Sequence, residues 1–85
     1  MKQNLIDIRR NTRVTTKEIA ERAQLPVADV FVVETGGFAS KETAQKVVTA
    51  FNQLSGMSVR LKDIRISNLA SLASALQSNG AHNRL

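Results

Sequence analysis

The run from Thr15 to Gly37, TTKEIAERAQLPVADVFVVETGG, constrains the chain more than any other stretch. Thr15 followed by Glu18 spells a capping box, T-x-x-E, in which each side chain meets the other residue's backbone N–H. Ile19, Ala20 and Ala23 then share one helical face, with Lys17, Glu18, Glu21 and Arg22 outside it. Gln24-Leu25 is the turn. Pro26 opens the next helix, where its fixed φ and missing N–H are tolerated. That helix runs to about Thr35 and stops at Gly36, which is placed to adopt a left-handed conformation. Two helices this short cannot bury an apolar face alone, so the flanking segments must supply the rest of the core.

The flanks carry that material. A first helix is expected from about Lys2 to Asn11, with Leu5 and Ile8 on one face and Arg9 and Thr12 continuing the same side. Arg9 puts a charge on an apolar stripe, which means either a solvated edge position or an internal ion pair. After a Gly36–Ala39 loop, Ser40 is a plausible N-cap for a helix from Lys41 to Ser55, with Glu42 favourable in its first turn. Ala44, Val47, Val48, Phe51 and Leu54 form its apolar stripe, and Gly56 stops it. Val59 to Lys62 alternates like a strand, but Leu61 and Ile64 also fit one helical turn. With no partner strand in view, a short helical turn running into extended chain is expected. From Ser67, the Leu69, Leu72, Ala73 and Leu76 stripe reads as a last helix ended by Asn79-Gly80, followed by a frayed tail. The expected fold is therefore all-α. A compact bundle of four to five short helices fills residues 1–66, a C-terminal helix over 67–80 packs on it or dimerises, and 81–85 form the tail.

Composition narrows the function classes. The absence of cysteine excludes a disulfide framework and any zinc finger built on thiolates. With no Trp or Tyr and three Phe, the core rests on Val, Ile, Leu and Ala. No apolar run approaches the ~20 residues of a membrane span and no signal-peptide core is present, so a soluble cytoplasmic protein without a membrane partner is expected. Catalysis is not expected. His82, the single histidine, lies in the tail and leaves no base for a serine nucleophile. The carboxylates are scattered without metal-ligand spacing, and Gly36-Gly37 closes a helix instead of opening one after a strand. No catalytic residue, metal, cofactor or small-molecule substrate is assigned. The net charge of +5 is concentrated at the two ends: residues 1–22 carry six basic and three acidic side chains, and 60–85 carry four and one. A basic excess of that kind favours a polyanionic partner.

Several of these residues recur together in a known pattern. Ile8-Arg9, Val14-Thr15, Glu18-Ile19-Ala20, Leu25, Val30, Val33-Glu34, Gly36, Ser40 and Val47 are spaced so that the chain from Leu5 to about Ile64 resembles the phage-repressor type of helix-turn-helix domain, the lambda-repressor-like or XRE family. The resemblance implies a DNA-binding unit made of the second and third helices and a homodimeric transcriptional regulator, typically a repressor, acting on double-stranded DNA. It implies an ion pair between Arg9 and Glu34. By position it also makes Pro26, Val27, Ala28, Phe31, Val32 and Thr35 base-facing, and brings Thr16, Lys17, Gly37 and Lys41 to phosphates, Gly37 through its backbone N–H.

The sequence departs from the pattern where it matters most. Base edges in the major groove are read mainly by Arg, Lys, Asn and Gln, and the base-facing positions hold none of them; their one polar group is the Thr35 hydroxyl. Gln24 stands where glycine is usual and must adopt positive φ, Thr16 stands where a glutamine is common, and Pro26 replaces a serine cap. Three readings of the apolar face follow. In the first it reads DNA through contacts with thymine methyls, with phosphate contacts and DNA shape supplying most of the affinity. In the second, Val27, Phe31 and Val32 form a protein interface and the domain is an assembly or adaptor module. In the third these residues are simply core.

Overall fold

A computed structural model describes residues 2–68. It is mostly helical, in the order α1 (Leu5–Arg9), α2 (Thr16–Ala23), α3 (Val27–Glu34), β1 (Phe38–Ala39), α4 (Lys41–Ser55), a 3₁₀ turn (Leu61–Asp63) and β2 (Ser67–Asn68). Four α-helices surround one apolar core made of Leu5, Ile19, Val30, Val33, Val47, Val48, Phe51 and Ile64, with Val14, Ala20, Ala44 and Ala50 filling the narrow places. No described helix is long and apolar enough to cross a membrane.

Local chemistry explains most element boundaries. The Thr15 capping box is formed in both directions: the Glu18 N–H donates to Thr15 Oγ1 at 3.1 Å and the Thr15 N–H to Glu18 Oε1 at 2.9 Å. Ser40 caps α4 by accepting from the Thr43 N–H at 3.0 Å, and Gly56 ends that helix at φ 78. Helices α2 and α3 end alike. The Gln24 N–H donates to Glu21 O and the Leu25 N–H to Ala20 O, while the Gly36 N–H donates to Val33 O and the Gly37 N–H to Val32 O. Each is a Schellman pair closing on a left-handed residue, Gln24 at φ 58 in the first case and Gly36 at φ 80 in the second.

Four expectations need correction. Helix α1 spans Leu5–Arg9, not Lys2 to Asn11. At its start the Gln3 carbonyl accepts from the Arg65 N–H, which holds Gln3 extended; at its end the Thr12 hydroxyl donates to Arg9 O and accepts from the Val14 N–H, drawing the chain off the helical path. Pro26 is the N-cap of α3 at ψ 145, so the helix begins at Val27. Leu54 is 37% exposed, and Ala50 takes its place in the core. Asn52 brackets Val59, donating to its carbonyl and accepting from its N–H, so the returning chain packs Val59 against the core after the helix ends.

The fourth correction concerns the extended chain after Asp63, which does have partners. Ile64 bridges Gln3, and Ser67–Asn68 pair in parallel with Phe38–Ala39 in the register Phe38 to Ser67 and Ala39 to Asn68. Ladders of two residues are too short to leave a periodic signal in sequence. The C-terminal helix expected from Ser67 thus has its first two residues in β2, and the remainder of 67–80, like the tail, lies outside the described residues. In the turn before β2, the Arg60 N–H donates to Asp63 Oδ2 at 3.1 Å and, with the Arg60 guanidinium nearby, lowers the Asp63 carboxyl below its ordinary range.

Candidate functional site

The outward side of α3 is the most distinctive surface of the described chain. Eight residues give little more than two turns, and Val30, Val33 and Glu34 fill the inward side, all fully buried. Helical geometry then sends Ala28, Phe31, Val32 and Thr35 to the opposite arc, while Val27, in line with Val30 and Glu34, joins the surface as the first residue of the helix. Val27 is 50% exposed and Phe31 51% exposed; Ala28 and Thr35 are exposed, and Val32 is half-buried. The reading of these residues as core is therefore overturned for Val27, Ala28 and Phe31. Thr35 looks like the polar member of the face, but its hydroxyl donates back into its own helix, 2.9 Å from Phe31 O and 3.3 Å from Val32 O. The side chains of the face thus offer no free hydrogen-bond donor; its unpartnered donors are the main-chain N–H groups of Val27 and Ala28, which Pro26 leaves uncapped in the first turn. Asp29, at the flank of the arc, is exposed and accepts only.

Behind the face lies a buried polar cluster joining three helices. Glu34, with no exposed surface, sits with Oε2 2.7 Å from Arg9 Nε. The contact is coulombic and is not aligned as a hydrogen bond. Glu34 Oε1 accepts from the Thr16 hydroxyl at 2.9 Å, and Arg9 Nη1 donates to Val14 O at 3.1 Å. Arg9 is thus the internal partner of Glu34 and not a solvated edge residue. The Thr16–Glu34 bond was not legible in the sequence, because a threonine at the first turn of a helix carries no sign of a partner eighteen residues away.

The four residues assigned to phosphates divide. Lys17 and Lys41 are exposed, in the first turns of α2 and α4, and among the described residues neither joins an ion pair. The Thr16–Glu34 bond sets the start of α2 beside the end of α3, and the Gly36–Ser40 link carries the chain from that same end to Lys41. Lys17 thus follows the residue that meets the end of α3, and Lys41 follows the link that leaves it. The other two are already committed. The Thr16 hydroxyl donates inward to Glu34, and the Gly37 N–H donates to Val32 O at 2.8 Å, so neither can donate to a phosphate without breaking an internal bond. Phe38, 56% exposed on β1, adds apolar surface near that end and was not singled out from sequence, where it reads as one loop residue.

Among the described residues, no group of three His, Asp or Glu side chains is placed to hold a metal ion. A cleft of about 500 Å³ lined by Arg22, Gln24, Gln45, Lys46 and Gln53 lies between α2 and α4, and contains none of the outward residues of α3. Compared with models of known protein families, with curated proteins and with solved structures, the chain finds no match.

Proposed function

We propose that this chain is a double-stranded DNA-binding transcriptional regulator, a cytoplasmic repressor of the phage-repressor type that its sequence resembles. In this reading α2 and α3 are a helix-turn-helix and α3 enters the major groove. The observation that carries it is the exposed outward side of α3, whose side chains are apolar but for Thr35, together with exposed lysines in the first turns of α2 and α4 that join no ion pair among the described residues. Lys17 and Lys41 supply phosphate contacts that fix the register of the helix, and Val27, Ala28, Phe31 and Val32 meet base edges. Two copies acting as a homodimer would present their recognition helices one turn of DNA apart, ~34 Å, on a palindromic site.

Titration of duplex DNA against salt tests the reading. Affinity should fall with log salt at a slope near −0.9 per phosphate contacted. If no duplex binds at low salt, the regulator reading fails.

A second reading is favoured by the half-exposed Phe31 and Phe38: the face is a protein interface and the domain an adaptor. Association through such a face holds or strengthens as salt rises. An oligomer that dissolves on Phe31→Ala, with DNA binding unaffected, would select it.

A further inference from the structure

We infer that the ligand feature read by α3 is the pyrimidine C5-methyl group in the major groove, whether carried by thymine or by 5-methylcytosine. The inference rests on the DNA-binding reading above and specifies what that face recognises. Guanine presents N7 and O6 to the groove, two acceptors that need donors from the protein, and adenine presents one acceptor and one donor. The side chains of the face have no donor to give, and the unpartnered main-chain N–H groups of Val27 and Ala28 are confined to the first turn, which leaves the rest of the face to carbon contacts. Val27, Ala28 and Phe31 end in carbon, and the Thr35 proton is held between the carbonyls of Phe31 and Val32. A C5-methyl is the apolar feature of a major-groove edge against which a carbon surface can pack, while the neighbouring polar atoms of the base pair keep their water.

Placement fits that role. Val27 and Phe31 lie one helical turn apart on the same side of α3, each about half exposed, so they present an apolar ridge along the helix. Val32, half-buried on the far side of the arc, lies close enough to Gly37 that an added Cβ there would be 3.0 Å from Val32 Cγ1. Exposed lysines in the first turns of the flanking helices and carbon along α3 answer a ligand with an anionic backbone and methyl groups between. Because an apolar contact does not distinguish which ring bears the methyl, cytosine methylation acts as a positive signal for binding.

The test uses the full chain and two pairs of 20-base-pair duplexes. One pair is an A·T-rich sequence with thymidine and the same sequence with deoxyuridine. The other is a G·C-rich sequence with cytosine and with 5-methylcytosine. Removing the thymine methyls should weaken binding by about fourfold for each methyl buried, and methylating cytosine should strengthen it by the same factor. The salt slope should be equal within each pair. In Phe31→Ala and in Val27→Ala, checked for native helicity by circular dichroism, both differences should shrink while the slope stays. Equal affinity within both pairs overturns the methyl inference and leaves the DNA reading standing. A methyl effect that persists in both variants also overturns it, because the methyl then acts through DNA stiffness. Absence of binding to all four duplexes at low salt removes the DNA reading itself. A response to thymine but not to 5-methylcytosine overturns the claim that the two are equivalent.

Discussion

Glu34 is the residue whose environment is most demanding. A carboxylate with no exposed surface persists because Arg9 faces one oxygen and Thr16 donates to the other. Such a pair adds little net stability over an apolar substitute, but removing one partner leaves an uncompensated buried charge. Arg9→Ala should therefore lower unfolding free energy by about 3 kcal/mol, whereas Arg13→Ala, at an exposed position, should stay within about 0.5 kcal/mol. Denaturant midpoints at constant slope measure both, and equal midpoints would remove the pair from the account. Gln24 poses the opposite case. Its left-handed backbone at φ 58 is costly for any residue with a Cβ. Gln24→Gly should raise stability, by about 0.5–1 kcal/mol after the greater freedom of the unfolded chain is offset. A lower midpoint would mean that the glutamine side chain contributes more than its backbone costs.

At the scale of elements, α2 and α3 are stopped by the same hydrogen-bond pattern, and the residue at the stop decides how firmly. Gly36 and Gly56 allow a clean comparison. Both sit near φ 80, at 80 and 78, so an alanine at either meets the same backbone penalty of about 1–2 kcal/mol. Around Gly56 an added Cβ meets nothing within 4 Å, whereas at Gly36 it would come within 2.9 Å of Asn4 Oδ1 and 3.4 Å of the Arg65 carbonyl. Gly36→Ala should thus lower the melting temperature more than Gly56→Ala; equal shifts would show that Asn4 moves aside freely. The crowding arises because Gly36 sits where α3, the N-terminal segment and the strand from Ile64 meet. That strand accepts no help from periodicity. It is held by the Arg65 N–H on the Gln3 carbonyl and the Ser67 N–H on the Gly37 carbonyl, and so ties residues far apart in the chain to the end of α3.

For the whole molecule, charge and shape assign separate tasks. Lys17→Ala and Lys41→Ala should each weaken binding to all duplexes alike and reduce the salt slope by about 1, while Phe31→Ala should leave the slope unchanged. A slope unaltered by both lysine variants would place the phosphate contacts elsewhere on the basic surface. What the sequence by itself determined was whatever depends on neighbours within a few residues. The Thr15–Glu18 box, the Ser40 cap, the stop at Gly56 and the inward Val30 and Val33 are written in spacings of three and four, because helices are built from contacts at that range. The resemblance to the phage-repressor pattern supplied the Arg9–Glu34 pair and the left-handed Gln24. Only the tertiary structure decided the rest. It shortened α1 by drawing Gln3 into a bridge with Ile64, turned the Thr16 hydroxyl inward, exposed Leu54, and left Val27 and Phe31 uncovered. Each of these depends on which distant segment arrives to offer a carbonyl, a carboxylate or a packing surface. An isolated stretch of sequence carries no record of its eventual neighbour, so they become fixed only when the chain has closed on itself.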